Sequence, residues 1–291
     1  MGRKKKYPLI GQLEITDIGA EGKSLGKHEG MVVFVPQVIP GDVVDVQINQ
    51  KKKRYMEGYV VNYHKFSDLR IKPFCEHFGV CGGCKWQHLP YSHQLHFKQK
   101  QVVDHLTRIG KVELPEINPI VPSDNQMHYR NKLEYAFSEN RWLSQEEVNA
   151  GEQISDRNAL GFHIPGRFDR VLEINACYLQ PDPSDQIRGA VKEYSVRNNL
   201  RYFDLVKQEG FLRNLIIRNN KAGEFMVVVS FFENREKEIT GLLEFLKNTF
   251  PQITSLLYVF NPKANDTIND LEIKLYSGKG HITESLEDLH F

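Results

Sequence analysis

Three of the chain's four cysteines fall within ten positions, in CEHFGVCGGCKWQH, residues 75–88. Thiols that close in sequence usually share a metal, and a loop closed on a metal restricts its fold more than any short run of apolar residues does. Cys81 and Cys84 flank Gly82-Gly83, a pair that lets the backbone curl until both sulfurs face one point. The same glycines leave backbone N–H groups to point at sulfur. A tetrahedral site wants a fourth ligand. Cys177 is the only other cysteine, separated from Cys84 by ninety-two intervening residues, at the end of a predicted strand in INACYLQPDP. His77 and His88 can replace a thiolate, although four thiolates need neither. Zinc sites usually pair two short Cys-x2-4-Cys knuckles. Three cysteines plus a distant one suit an iron–sulfur cluster at least as well. Four unrelated core cysteines are the alternative without a metal.

At 291 residues, with 40% hydrophobic, 11% aromatic and 26% charged residues, the sequence predicts a soluble chain of about two domains. No apolar run approaches the roughly 20 residues of a membrane span. The basic start MGRKKKYPLIGQ has no apolar segment behind it and is not a secretory signal. Few cysteines, most of them bunched, point to a cytoplasmic setting rather than a disulfide framework. The net charge of +1 hides an asymmetry. Residues 1–132 carry 20 Lys and Arg against 13 Asp and Glu, and residues 133–291 carry 18 against 24. A basic front half suits a polyanionic partner, and a lopsided solvated surface is the plain alternative.

Alternating β-branched residues in PLIGQLEITDIG, MVVFVPQV, DVVDVQINQ and MEGYVVNYH predict about five short strands, with GAEGKSLGKHEG and IPGD read as punctuation. That many strands in under 70 residues predict a small closed barrel, similar to an oligonucleotide-binding fold. KKKRY, residues 51–55, falls at a hairpin tip. There Lys51, Lys52, Lys53 and Arg54 can track a phosphate backbone while Tyr55 stacks on a base. A charged tip that merely protects an edge is the competing reading. Residues 91–110 predict a helix with Leu95, Val102, Val103 and Leu106 near one face. Beyond it, residues 133–179 read as strands and 184–199 as a helix. LRNLIIRNNKAGEFMVVVSFFEN reads as a hairpin, REKEITGLLEFLKNTF as a helix stopped by Pro251, and SLLYVFN and LEIKLYS as further strands.

The succession TDIGAEGKSLGK, VVFVPQVIPGDVV and CEHFGVCGGCKWQHLPYSHQLHFKQKQVVDHLTRIGK resembles the RNA uracil-C5 methyltransferases, including the bacterial 23S rRNA enzymes. The likeness continues through MHYRNKLEYAF, GFHIPGRFDRVLEINACYL, FLRNLIIR and YVFNPKANDTI. It implies an N-terminal TRAM barrel, a central domain carrying a [4Fe–4S] cluster on Cys75, Cys81, Cys84 and Cys177, and 23S rRNA as partner. The family's chemistry needs a cysteine nucleophile at uracil C6 and a Rossmann-like site for S-adenosylmethionine. All four cysteines are assigned to the cluster, and SGKGHITE lacks the strand–turn–helix setting of such a site.

The resulting expectation is an α+β multidomain chain with an OB-like TRAM barrel over 1–72 and a mixed α+β iron–sulfur domain over 73–291. In it the Rossmann-like methyltransferase domain is absent, the chain is catalytically incompetent alone, and S-adenosylmethionine binds only where that domain is present. The 91–110 helix is expected to dock on the missing domain or to mediate self-association. RNA contacts are expected at Lys51, Lys52, Lys53, Arg54, Tyr55, Arg70, Lys72, Phe74, Lys85, His88, Arg130, Lys132 and Arg167. Phe74 and Trp86 are also expected to cover the cluster. A stand-alone RNA-binding module and a zinc-stapled structural protein are the alternatives.

Overall fold

A computed structural model describes residues 7–151 and 156–291. The basic cluster at 3–6 lies outside them. The described residues divide into two compact units, one within 7–79 and 84–124 and one within 80–83 and 125–291.

The first unit is built on a closed barrel of five strands: β1 (Leu9–Ile18), β2 (Ser24–His28), β3 (Met31–Val35), β4 (Val43–Lys51) and β5 (Tyr55–Lys65), in the order β1-β2-β3-β5-β4. All contacts are antiparallel except β3 with β5. Alternation turns Ile10, Leu13, Ile15, Val33, Val35, Val44, Val46, Ile48 and Met56 into one apolar interior. The stretch read as glycine punctuation contains β2. Gly26 lies within that strand, where a Cβ would come 2.4 Å from the Glu14 carbonyl oxygen. The glycine permits close approach of two strands and does not mark a turn.

The barrel is closed at one end by a buried carboxylate. Asp42 is fully inaccessible and accepts hydrogen bonds from the Ile39 N–H (2.8 Å), the Ser67 N–H (2.8 Å), Arg70 Nε (2.9 Å) and Arg70 Nη2 (2.6 Å). This ties the turn before β4 to the strap that follows β5. Ile18, Ile39 and Leu89 then pack with Leu69, Trp86 and Phe97 in a small second core. Phe97 belongs to α1 (Tyr91–Asp104), which continues as one π-helical turn over His105–Ile109. No residue of α1 is buried. Val102 and Leu106, from its predicted apolar face, are exposed, as is Ile109.

The second unit is a seven-stranded sheet ordered β12-β11-β10-β9-β6-β7-β8. Its strands are β6 (Lys132–Ser138), β7 (Ala159–Ile164), β8 (Arg167–Glu173), β9 (Leu212–Asn219), β10 (Phe225–Phe231), β11 (Ile253–Phe260) and β12 (Ile273–Gly278). The short helix α2 (Gln145–Ala150) precedes β7. The predicted hairpin is β9–β10, and α4 (Glu236–Thr249) carries the chain from β10 to a parallel β11. One sheet face packs on α3 (Ser184–Arg197) through Ile187 and Val191, and on α4 through Ile239, Leu242, Leu243 and Leu246. A last two-stranded ribbon joins β13 (Ser285–Leu286) and β14 (Leu289–His290).

Removing a buried ion pair's partner leaves an unpaired buried charge, which costs about 3–5 kcal/mol. Arg70→Ala is expected to destabilise the chain by that order in urea unfolding. Asp42→Ala combined with Arg70→Ala should cost less than the two single changes added together. Additive losses would show that the two residues act independently.

Candidate nucleic-acid interface and cysteine loop

The β4–β5 tip is where the sequence places it. Lys51, Lys52, Lys53 and Arg54 are all exposed, and the turn closes through the Lys52 N–H on the Tyr55 carbonyl at 2.9 Å. Tyr55 is half-buried with its ring edge-on to Phe34 at 5.7 Å, so it is a wall of the barrel surface rather than a free stacking ring. The cations are held on a two-strand arm and turned to solvent, the arrangement that phosphate tracking requires.

Two other expected contacts, Arg70 and His88, and the expected cluster cover Trp86 have different surroundings. Arg70 is spent on Asp42, and its guanidinium lies 5.3 Å from the Tyr63 ring and 5.2 Å from Phe66. His88 is 2% exposed, packs against Phe78 at 4.9 Å, and has no hydrogen-bond partner on either ring nitrogen. It is a core residue of the first unit and presents no polar edge to a partner. Trp86 belongs to the small core and donates its indole N–H to the Gly22 carbonyl at 3.3 Å, which accounts for it without a cluster. Lys72, Phe74 and Lys85 are exposed. In the second unit Arg130 is exposed beside β6, Lys132 pairs with Glu134 at 2.8 Å, and Arg167 pairs with Asp169 at 3.2 Å.

The cysteine loop is divided between the units: Cys75 and Cys84 belong to the first, Cys81 and Cys177 to the second. All four are partly exposed, and none of them is in a disulfide. Cys177 lies past the end of β8 in the connection to α3, with its N–H on Asp185 Oδ2 at 2.8 Å, so the predicted strand stops short of it. The Gly83 N–H lies 3.4 Å from Cys81 Sγ. Burial raises the Cys75 thiol above its ordinary range, and the charges of Cys84 and Glu76 add to this. The N–H groups of His77 and Phe78 pull it down. Amides aimed at sulfur are the donor chemistry of a metal thiolate loop. Among the described residues no three His, Cys, Asp or Glu side chains converge as a metal-holding group.

What sequence reading missed here is mostly long-range. Asp42 sits in an unremarkable PGD turn, and only folding brings it to Arg70, 28 residues on. Gln37 adopts φ 63°, and its carbonyl accepts from the Tyr63 hydroxyl at 3.3 Å. Its amide donates to the Gly79 carbonyl.

Residues 12–61 match the TRAM domain. The chain is 52% identical over 277 residues to an uncharacterized RNA methyltransferase of Bacteroides thetaiotaomicron, covering 94% of this chain and 61% of that protein. It is 50% identical to one of Porphyromonas gingivalis, over 96% of this chain and 61% of the relative. Among solved structures it resembles a tRNA (uracil-54, C5)-methyltransferase of Pyrococcus abyssi in complex with S-adenosyl-L-homocysteine. The TM-score is 0.65 at 24% identity, covering 97% of this chain and 58% of that one. These matches correct the expected fold class, in which a methyltransferase domain is absent. Nearly the whole chain follows a methyltransferase fold and aligns with RNA methyltransferases. The expectation looked for one local motif, a glycine turn after a buried strand, whereas the likeness is spread along the chain.

Burial, with the charge of Arg70 acting the same way and that of Asp42 opposing, lowers the His88 ring to a pKa of about 4. Its folded value is below the ordinary 6.5, so the stability linked to the neutral ring is complete above pH 6.5 and is lost as the pH falls towards 4. The loss is up to about 3 kcal/mol at roughly 1.4 kcal/mol per pH unit. His88→Leu should flatten this acid limb when urea midpoints are compared at several pH values. An unchanged limb would place its origin elsewhere. Over nearly its whole length this chain is similar to RNA methyltransferases, and it spans about three-fifths of the length of the curated relatives it matches.

Proposed function

We propose that this chain recognises RNA in an RNA uracil-C5 methyltransferase that uses S-adenosylmethionine. The observation that carries this is the exposed cationic arm Lys51–Arg54 on a TRAM-matching barrel, in a chain half identical to RNA methyltransferases. A closed barrel fixes the arm, so four charges meet a phosphate backbone at little ordering cost. Lys72 and Lys85 extend the basic character of the same unit, and Arg130 adds an exposed cation in the second unit. Large-subunit ribosomal RNA is the substrate the sequence resemblance favours, whereas the structural neighbour is named for transfer RNA. Binding to transcripts of both kinds decides between them.

The ligand set Cys75, Cys81, Cys84 and Cys177 belongs to the same proposal. It is supported by the sequence spacing and by the amide donors around Cys75 and Cys81. A [4Fe–4S] cluster there would serve as a structural staple. The proposed reaction is a methyl transfer and gives the cluster no redox task.

Two measurements test the reading. With a single-stranded RNA oligomer, binding should weaken linearly with log salt, with a slope of about 0.7 per phosphate contact. Replacing Lys51, Lys52, Lys53 and Arg54 by alanine should reduce that slope by two or more contacts. An unchanged slope would remove the arm from the interface. For the thiols, anaerobically purified protein should contain about four irons and four sulfides, diminished in Cys177→Ala. One zinc without sulfide would leave a zinc staple, and no metal would end the ligand assignment.

A further inference from the structure

β5 is unevenly partnered. β3 pairs with it only from Tyr55 to Glu57 and ends at Val35, so from Tyr59 onward no strand among the described residues lies beside this side of β5. The space is a cleft of about 280 Å³ lined by Pro36, Gln37 and the β5 residues Tyr59 to Tyr63. That is near the lower end of the roughly 300–1,000 Å³ of small-molecule pockets. Tyr59 and Val61 are each half exposed there, and Phe66 is 58% exposed just beyond the strand. Tyr63 and Phe66 stack on each other at 4.6 Å, with the Arg70 guanidinium over both rings. The far wall is firm, because Gln37 is held by Tyr63, Arg70 and the Gly79 carbonyl.

We infer that this cleft is a base-binding subsite, in which an unstacked base of single-stranded RNA lies against Tyr59 and beside the open edge of β5. The inference rests on the RNA-binding reading above and names the part of the barrel that takes a base. Three features favour RNA over another occupant. Its wall offers a solvent-facing aromatic ring, which stacks on any base whatever its identity. The unpaired strand edge offers backbone donors and acceptors to a base edge. Cations flank the strand at both ends, with Lys51–Arg54 before it and Lys65 at its close, so a backbone laid along β5 meets positive charge on either side of the cleft. The strand's eleven residues span about 36 Å at roughly 3.3 Å each, room for several of the 4–16 nucleotides that a barrel of this type holds.

The two parts of the interface have different salt signatures. Phosphate contacts set the slope of affinity against salt, and stacking sets an offset that salt leaves in place. The experiment measures binding of a fluorescent single-stranded uridine- and adenosine-containing RNA to the full chain across a salt series. Tyr59→Ala is expected to weaken binding roughly tenfold at every salt concentration with the slope unchanged. Tyr59→Phe, which keeps the ring, should bind within about twofold of the unmodified chain. Tyr59 is half exposed, so circular dichroism and the urea midpoint of both variants should match the unmodified chain. Binding by Tyr59→Ala equal to that of the unmodified chain, while the Lys51–Arg54 variant loses slope, would overturn the subsite and leave the RNA-binding reading standing. A matching loss in Tyr59→Phe would also overturn it, because stacking would not be the cause. No salt-dependent binding by the unmodified chain would overturn both.

Discussion

The first unit is organised around one inaccessible carboxylate. A charge taken out of water is costly unless every lone pair is used. Asp42 meets that condition with two backbone amides and both reachable nitrogens of Arg70. The consequences run outward. Ile39 fixes the turn that starts β4, and Ser67 fixes the strap leaving β5. Arg70 then lies over Tyr63 and Phe66, which holds the end of the aromatic strand in place. Gly41 makes the arrangement possible, since its φ of 94° and a Ser67 Oγ that would sit 2.7 Å from a Cβ exclude other residues. A side chain that reads as a surface cation in sequence is therefore the anchor of the barrel's lower end.

That anchor also marks the limit of what the sequence disclosed. Alternation made β1, β3, β4 and β5 visible, and the tip Lys51–Arg54 was visible because a charge run between two β segments has few other places to go. The β9–β10 hairpin was equally local, closed by Asn220 with Glu224 and Gly223. β2 was hidden because Gly26 was weighed as a breaker, when its role is to let β1 approach. The order of the seven-stranded sheet was not legible either. It places β6 between β9 and β7 and makes β10–β11 parallel, and pairings of that kind follow from packing over many residues.

The site shows the same division. Exposure of a hairpin tip is a local property, whereas the states of Arg70 and His88 depend on groups many positions away. Asp42 draws Arg70 inward, and Phe78 with the surrounding core takes His88. Arg213 is a parallel case in the second unit. It is almost wholly buried, donates to the carbonyls of Asn261 and Asn265 at 2.8 and 2.7 Å, and stacks 4.5 Å from Phe203. Its place in FLRNLIIR looks like that of any strand cation. In each case the sequence disclosed the charge, and folding decided whether it stayed on the surface.

Exposed rings on β5 are the remaining feature that stability alone does not explain. A strand edge left without a neighbour invites pairing with another chain, and proteins usually blunt such edges with charge, a bulge or a cover. Here β5 carries bulges opposite Val43–Val44 and Asp45–Val46, and its final residues are His64 and Lys65. Those devices discourage a second strand along the edge. They do not explain why Tyr59 and Val61 face solvent in the middle of it and Phe66 just beyond it, since a Thr or Lys at each position would serve solubility better. An edge closed to strands but lined with aromatic rings and flanked by cations fits a ligand that stacks and carries negative charge. In that respect the cleft and the Lys51–Arg54 arm are two ends of one surface, the arm setting attraction and the cleft setting grip.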